Sequence, residues 1–216
     1  DRRPPEWDHA NHLERAVECY RILSEPGHDR FREILDVSSF YPPITACAAG
    51  LLYFVFPIVP LTAQAVMLGF MALGLAAIFA LGRQLFDSET GLLAAFFFGT
   101  AHSVVFSLTN FQLDIPLASM VAAALYALVQ SKGFSHPGWC VALGATLGLG
   151  MVTKPPFAGY VLPAFCWTLW LALRSVDRRR RLGWLGVALV VGVVIALPWY
   201  GPRVVGLPMQ AANRSF

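Results

Sequence analysis

From Ile44 to Trp199 the chain is a series of apolar runs, about fourteen to twenty residues each, parted by short polar connectors. In lipid such runs must satisfy their own backbone groups, and a helix does this within one segment. The runs fall at about 61–81, 90–108, 115–130, 139–153, 158–173 and 182–199. A span needs about twenty residues, so the ends of the shorter runs are expected to reach into the flanking polar residues. Charged residues make up only 13% of the 216 residues, against about 25% in soluble domains. The expected class is therefore all-α, a polytopic membrane protein with about six transmembrane helices.

Charge is segregated along the chain. Residues 1–36 hold fifteen of the twenty-nine charged residues. Within them Leu13, Ala16, Val17, Tyr20 and Leu23 recur at helical spacing, which predicts an amphipathic helix over about 8–24, ended by Glu25-Pro26-Gly27. A second short helix is expected at about 29–36, and both suit a membrane surface. After Tyr41-Pro42-Pro43 the run 44–57 has about fourteen residues, a length more often interfacial or re-entrant than spanning. Residues 1–60 thus read as an extracytoplasmic loop with juxtamembrane helices, and 61–216 as the helix bundle. With polar residues at both ends and no initiator Met, the chain reads as part of a longer protein.

Parity supports this arrangement. If 44–57 does not cross, the basic residues Arg83, Lys132, Arg174 and Arg178 to Arg181 fall on one side, while the opposite connectors, the two terminal segments aside, hold only one basic residue, Lys154. That is the positive-inside pattern, and it turns residues 1–60 and the connectors around Asp114 and Lys154 away from the cytoplasm. The four-arginine run is then a topogenic signal rather than a nucleic-acid surface. Gly144, Gly148 and Gly150 lie in a stretch too apolar to cradle phosphate and read as a close helix contact. The cysteines Cys19, Cys47, Cys140 and Cys166 are scattered, which argues against a metal or disulfide framework.

Asp114 is the only carboxylate between Thr90 and Val176. An acid at membrane depth is expensive and by default marks a site. Lys154, one of two lysines, precedes Pro155-Pro156 at the outer end of a run, where a compact ammonium suits a phosphate or carboxylate. Asp8 lies where the amphipathic helix begins. Two acids and a cation suit transfer of a group from an anionic lipid to a hydroxyl: an acid takes the acceptor proton and the cation steadies the departing phosphate. Bland readings stand beside these. Asp8 and Asp114 are each placed to cap a helix, Lys154 to snorkel, and His9 and His12 to be solvated helix residues, although both flank Asp8 closely enough to orient it. His102 reads as a hydrogen-bonding residue within a span.

In order, the chain presents Trp7-Asp8, an amphipathic helix, Tyr41-Pro42-Pro43, Gly82-Arg83-Gln84-Leu85-Phe86, Leu113-Asp114-Ile115-Pro116-Leu117 and Gly148-Leu149-Gly150-Met151-Val152-Thr153-Lys154. This resembles the GT-C membrane glycosyltransferases, especially bacterial relatives of protein O-mannosyltransferase and of the lipid A aminoarabinose transferase. The resemblance implies an inverting transferase of a bacterial cell membrane. It would use a polyprenyl-phosphate sugar donor, a lipid, glycan or protein acceptor and an extracytoplasmic site. It places Asp8 at the first-loop acid, which acts as base or helps bind a divalent metal, and Asp114 at the second acid. Three positions depart from the pattern: Phe40 and Tyr41 replace an acid-lysine pair before Pro-Pro, and His9 replaces a second acid. On this reading Asp8 is the general base and Asp114 orients the base or the sugar. Lys154, with Arg15 or Arg21 and Tyr41, contacts the donor phosphate. Two rival readings are a transporter with Asp114 and Lys154 in a substrate or proton site, and a non-catalytic subunit in which Asp8, Asp114 and Lys154 lie far apart.

Overall fold

The computed structural model describes residues 7–25, 29–38 and 40–213, and every regular element among them is helical. The order is α1 (Trp7–Ser24), α2 (Arg30–Asp36), α3 (Ile44–Leu52), α4 (Pro60–Leu85), α5 (Ser88–Thr100), α6 (His102–Thr109), α7 (Asp114–Gln130), α8 (Pro137–Met151), α9 (Phe157–Leu173) and α10 (Arg178–Asn213). The amphipathic helix, the short second helix and five of the six apolar runs thus appear as single helices where the sequence places them, while the run 90–108 is divided between α5 and α6.

Local chemistry sets the ends. Asp8 stands in the first turn of α1 and Arg21 in the last, the signs that the helix dipole favours. Asp29 caps α2 by accepting the Arg32 amide, and Asp87 caps α5 by accepting the Thr90 amide at 2.7 Å. Pro43 precedes α3, and Pro60 opens α4 where its missing amide costs nothing. One expected span is broken. Ala101, in an extended conformation, separates α5 from α6, and the two halves meet at 53°. His102 opens α6 at this break and is exposed, instead of bonding to a neighbouring helix within a span.

α4 and the first 26 residues of α10 are long and apolar enough to cross a membrane, and the bent α5–α6 pair makes a third candidate if counted as one span. α7, α8 and α9 are apolar but shorter, with 17, 15 and 17 residues. At 1.5 Å per residue they reach about 22–26 Å, against about 30 Å of hydrocarbon.

Small residues bring the long helices together. A Cβ at Gly148 on α8 would lie 2.8 Å from the Gly192 carbonyl of α10, and the same helix pair closes over Gly144. This is the close approach expected of that glycine stretch. At one end of the bundle Arg181 of α10 donates to the carbonyls of Lys132 and Gly133, fastening the arginine run to the α7–α8 turn. At the other end lie α1, α3 and the connectors before α7 and after α8.

The α1–α3 contact corrects the reading of the cysteines. Cys19 of α1 and Cys47 of α3 form a disulfide, with Cα atoms 5.2 Å apart. One turn further along α3, a Cβ on Gly50 would come within 2.9 Å of the Ala16 carbonyl, so α3 lies directly on the backbone of α1. The other two cysteines are unpaired, Cys140 buried and Cys166 exposed.

Candidate active site

Asp114 is the first residue of α7, but it does not cap it; Leu113 occupies that position and makes no side-chain cap bond. The carboxylate turns instead to the α8–α9 connector, where Lys154 Nζ donates to Asp114 Oδ1 at 2.7 Å. The ammonium is four-fifths covered and the carboxylate is 56% exposed. Lys154 is therefore not snorkelling outward: it is drawn onto Asp114, forty residues away in sequence.

Around this pair lies a cavity of about 60 Å³ lined by Asp8, His12, Tyr41, Gln112, Leu113, Asp114 and Lys154. α1 supplies Asp8 and His12, one helical turn apart and so on one face. Tyr41, fixed by its amide to Ser38 Oγ at 2.9 Å, enters ahead of α3, with its ring 5.6 Å from that of His12. The cavity holds about two water volumes, room for the reacting ends of substrates rather than a whole sugar.

The other members expected here divide. His9 is buried and its Nδ1 accepts the Phe111 amide, tying α1 to the connector that leads into Asp114. That bond places the proton on Nε2 and makes His9 a fastening residue. Arg15 stands a turn beyond Asp8 and His12, within electrostatic reach of Asp8 and Tyr41. One of its guanidinium nitrogens, Nη1, is buried without a hydrogen-bond partner among the described residues. A buried cationic donor left unpaired is costly, and an anion would relieve it. Arg21 is not brought to the site; it is exposed and paired with Glu18 at 2.7 Å. Gln112 and Leu113 complete the lining and carried no sequence signal beyond lying next to Asp114.

Electrostatics single out His12. Burial first, and then the neighbouring Arg15, push its imidazole down to about 4; Lys154 and His9 act in the same direction and Asp8 opposes them. The ring is thus neutral near pH 7. No group of three or more His, Cys, Asp or Glu side chains is placed to hold a metal ion among the described residues, and the ammonium of Lys154 occupies the cavity that both carboxylates line. The described residues of this cavity do not make up a metal ligand set.

The site is braced from α10. Tyr200 donates its hydroxyl to the Met151 carbonyl at 2.9 Å, beside the Lys154 connector. Arg203 donates to the carbonyls of Leu35 and Ser38, both at 2.8 Å, holding the segment that leads to Tyr41. Arg203 also lies over the Trp199 ring at 4.1 Å. Sequence reading missed this residue; its only signal was one cation at the polar end of an apolar helix.

Residues 41–200 match the family described as dolichyl-phosphate-mannose-protein mannosyltransferase. The match takes in Tyr41, Asp114, Lys154 and the helices that carry them, while α1 lies before it. No curated protein and no solved structure matches the chain. With about three quarters of its length inside the family's boundaries, and an all-helical apolar fold to go with it, the chain belongs to the dolichyl-phosphate-mannose-protein mannosyltransferase family of membrane glycosyltransferases.

Proposed function

We propose that this protein moves one sugar from a polyprenyl-phosphate donor to an acceptor hydroxyl, with inversion, on the extracytoplasmic face of the membrane. The observation that carries the reading is the cavity at which Asp8, His12, Tyr41, Asp114 and Lys154 meet, although the chain separates the first from the last by nearly 150 residues. Lys154, with Arg15 and Tyr41, receives the donor phosphate, and its ammonium stabilises the charge that grows as the sugar–phosphate bond breaks. Asp8 serves removal of the acceptor proton. Asp114 holds Lys154 in position and lies open enough to meet a sugar hydroxyl.

Two features support the extracytoplasmic side. The Cys19–Cys47 disulfide sits at the end of the bundle that carries the cavity, and disulfides persist in oxidising compartments. Arg181 and the Lys132 turn gather at the opposite end, as the positive-inside pattern requires. The reading as a non-catalytic subunit required the three charged residues to lie apart, and they do not. A transporter reading keeps Asp114 and Lys154 as its site, but among the described residues the bent α5–α6 pair has no second bent apolar pair to match it, as related halves would supply.

The test is sugar transfer from synthetic polyprenyl-phosphate sugars by the full-length protein in vesicles, comparing wild type with Asp8→Asn and Lys154→Gln. Loss of about 10²-fold or more in each variant is expected. Equal rates for wild type and Asp8→Asn would remove Asp8 from the mechanism, and proton-coupled uptake abolished by Asp114→Asn would favour the transporter.

A further inference from the structure

We infer that His12 is the group that receives the acceptor proton, with Asp8 on the same cavity wall stabilising the imidazolium, and that the donor's own phosphate raises its basicity. The inference rests on the glycosyl transfer proposed above and assigns its proton step to a named atom set.

Of the two histidines on α1, only one is available for chemistry. His9 has spent its Nδ1 on the Phe111 amide. His12 is 6% exposed, yet it lines the cavity, on the same helix face as Asp8. An imidazole with a carboxylate one turn away on the same helix face, both lining a space where a hydroxyl must lose its proton, is a base with an anion beside it to favour its protonated form. The Asp8 charge favours the protonated ring and so stabilises the imidazolium once it forms.

The charges facing His12 supply the coupling. Asp8, Arg15 and His9 act from its own helix and Lys154 from the α8–α9 connector, while Tyr41, ahead of α3, and Asp114, on α7, line the same cavity. Without substrate, burial and the cations Arg15 and Lys154 keep the ring neutral and weakly basic, close to 4. A donor phosphate, a phosphodiester with one negative charge, seated on those two cations offsets part of their push on His12. Basicity then rises toward working pH at the moment the donor arrives, where general-base catalysis is most effective. Acceptor that reaches an enzyme without donor meets a poor base.

The step balances. The acceptor oxygen gives its proton to a His12 ring nitrogen and forms a bond to the anomeric carbon of the sugar. The bond from that carbon to the phosphate oxygen breaks, and its electron pair leaves with polyprenyl phosphate, which gains one negative charge as His12 gains one positive charge. The proton then passes from His12 to solvent or to the departing phosphate.

The full-length protein in vesicles tests this through pH profiles of kcat, which report the substrate complex, and of kcat/KM for the donor, which report the free enzyme. In the wild type the acid limb of kcat is expected at higher pH than that of kcat/KM. His12→Gln is expected to lose about 10²–10⁴-fold in kcat and its acid limb, with donor KM and polyprenyl-phosphate binding within a few-fold of wild type. Coincident acid limbs in the wild type overturn the inference without any variant. So does a His12→Gln protein that keeps kcat within threefold or retains the limb. A wild type that transfers no sugar overturns the proposed function and this inference together; a wild type that transfers as His12→Gln does overturns the inference alone.

Discussion

Replacing both Cys19 and Cys47 by alanine probes the module that carries half of the cavity. The bridge joins residues 28 apart. In the chain-entropy treatment a loop of that length restricts the detached state by about 3.5 kcal/mol at 25 °C, an upper figure because native contacts keep part of that restriction. Gly50 against the backbone of α1 supplies a second contact that survives the substitution, so α1 is expected to stay docked but to open more often. Hydrogen exchange of the α1 amides reads this directly. If they exchange through detachment of the helix, 3.5 kcal/mol corresponds to about a 400-fold faster rate, and a gain of 30- to 400-fold is expected. Amides in α8 and α10, packed glycine to glycine at a distance from the bridge, serve as the internal control and are expected to hold their rates. Unchanged exchange in α1 would refute the view that the bridge holds Asp8 and His12 over the cavity. Alkylation of both thiols in the untreated wild-type protein would refute the oxidised pair itself.

Asp114→Asn is expected to cost under about 1 kcal/mol of thermal stability, because its ion pair is more than half open to solvent on the acid side, yet to lower sugar transfer by 10²-fold or more. A matched loss of folded protein and rate would reduce Asp114 to a structural role. Gly148→Leu must force α8 from α10 against a carbonyl 2.8 Å from its Cβ, and a loss of about 1–3 kcal/mol in detergent unfolding is expected; an unchanged midpoint would contradict the close packing. For His12, the folded-state value of about 4 lies below the ordinary 6.5, so the unfolded chain binds more protons between those values. Stability present above pH 6.5 is then lost as pH falls toward 4, by up to about 3 kcal/mol. His12→Gln should flatten denaturation profiles across that window, and an unaltered slope would reassign it to other groups.

The lone charges were legible because an apolar background leaves them nowhere bland to go: Asp114 and Lys154, each isolated in its own connector, end on one another. The helices were legible for the same reason, since long apolar runs have few other folds in lipid. Two features were hidden. The run 90–108 has no proline to mark the break at Ala101, and hydropathy cannot see a turn made by backbone conformation alone. The Cys19–Cys47 pairing depends on α3 lying across α1, a tertiary approach that Gly50 permits but no spacing announces. Arg15 and Arg21, six residues apart on α1, looked equivalent in sequence; the fold covers one and leaves the other to Glu18.

Through Tyr200 and Arg203, neighbours on one helix face, α10 grips both the Lys154 connector and the strip of chain leading to Tyr41. Those two walls therefore cannot be adjusted separately. A small rotation of this single rod would tilt them in concert, widening or narrowing the gap between them as a caliper does, so that the bore of the cavity is set from a helix contributing no side chain to it.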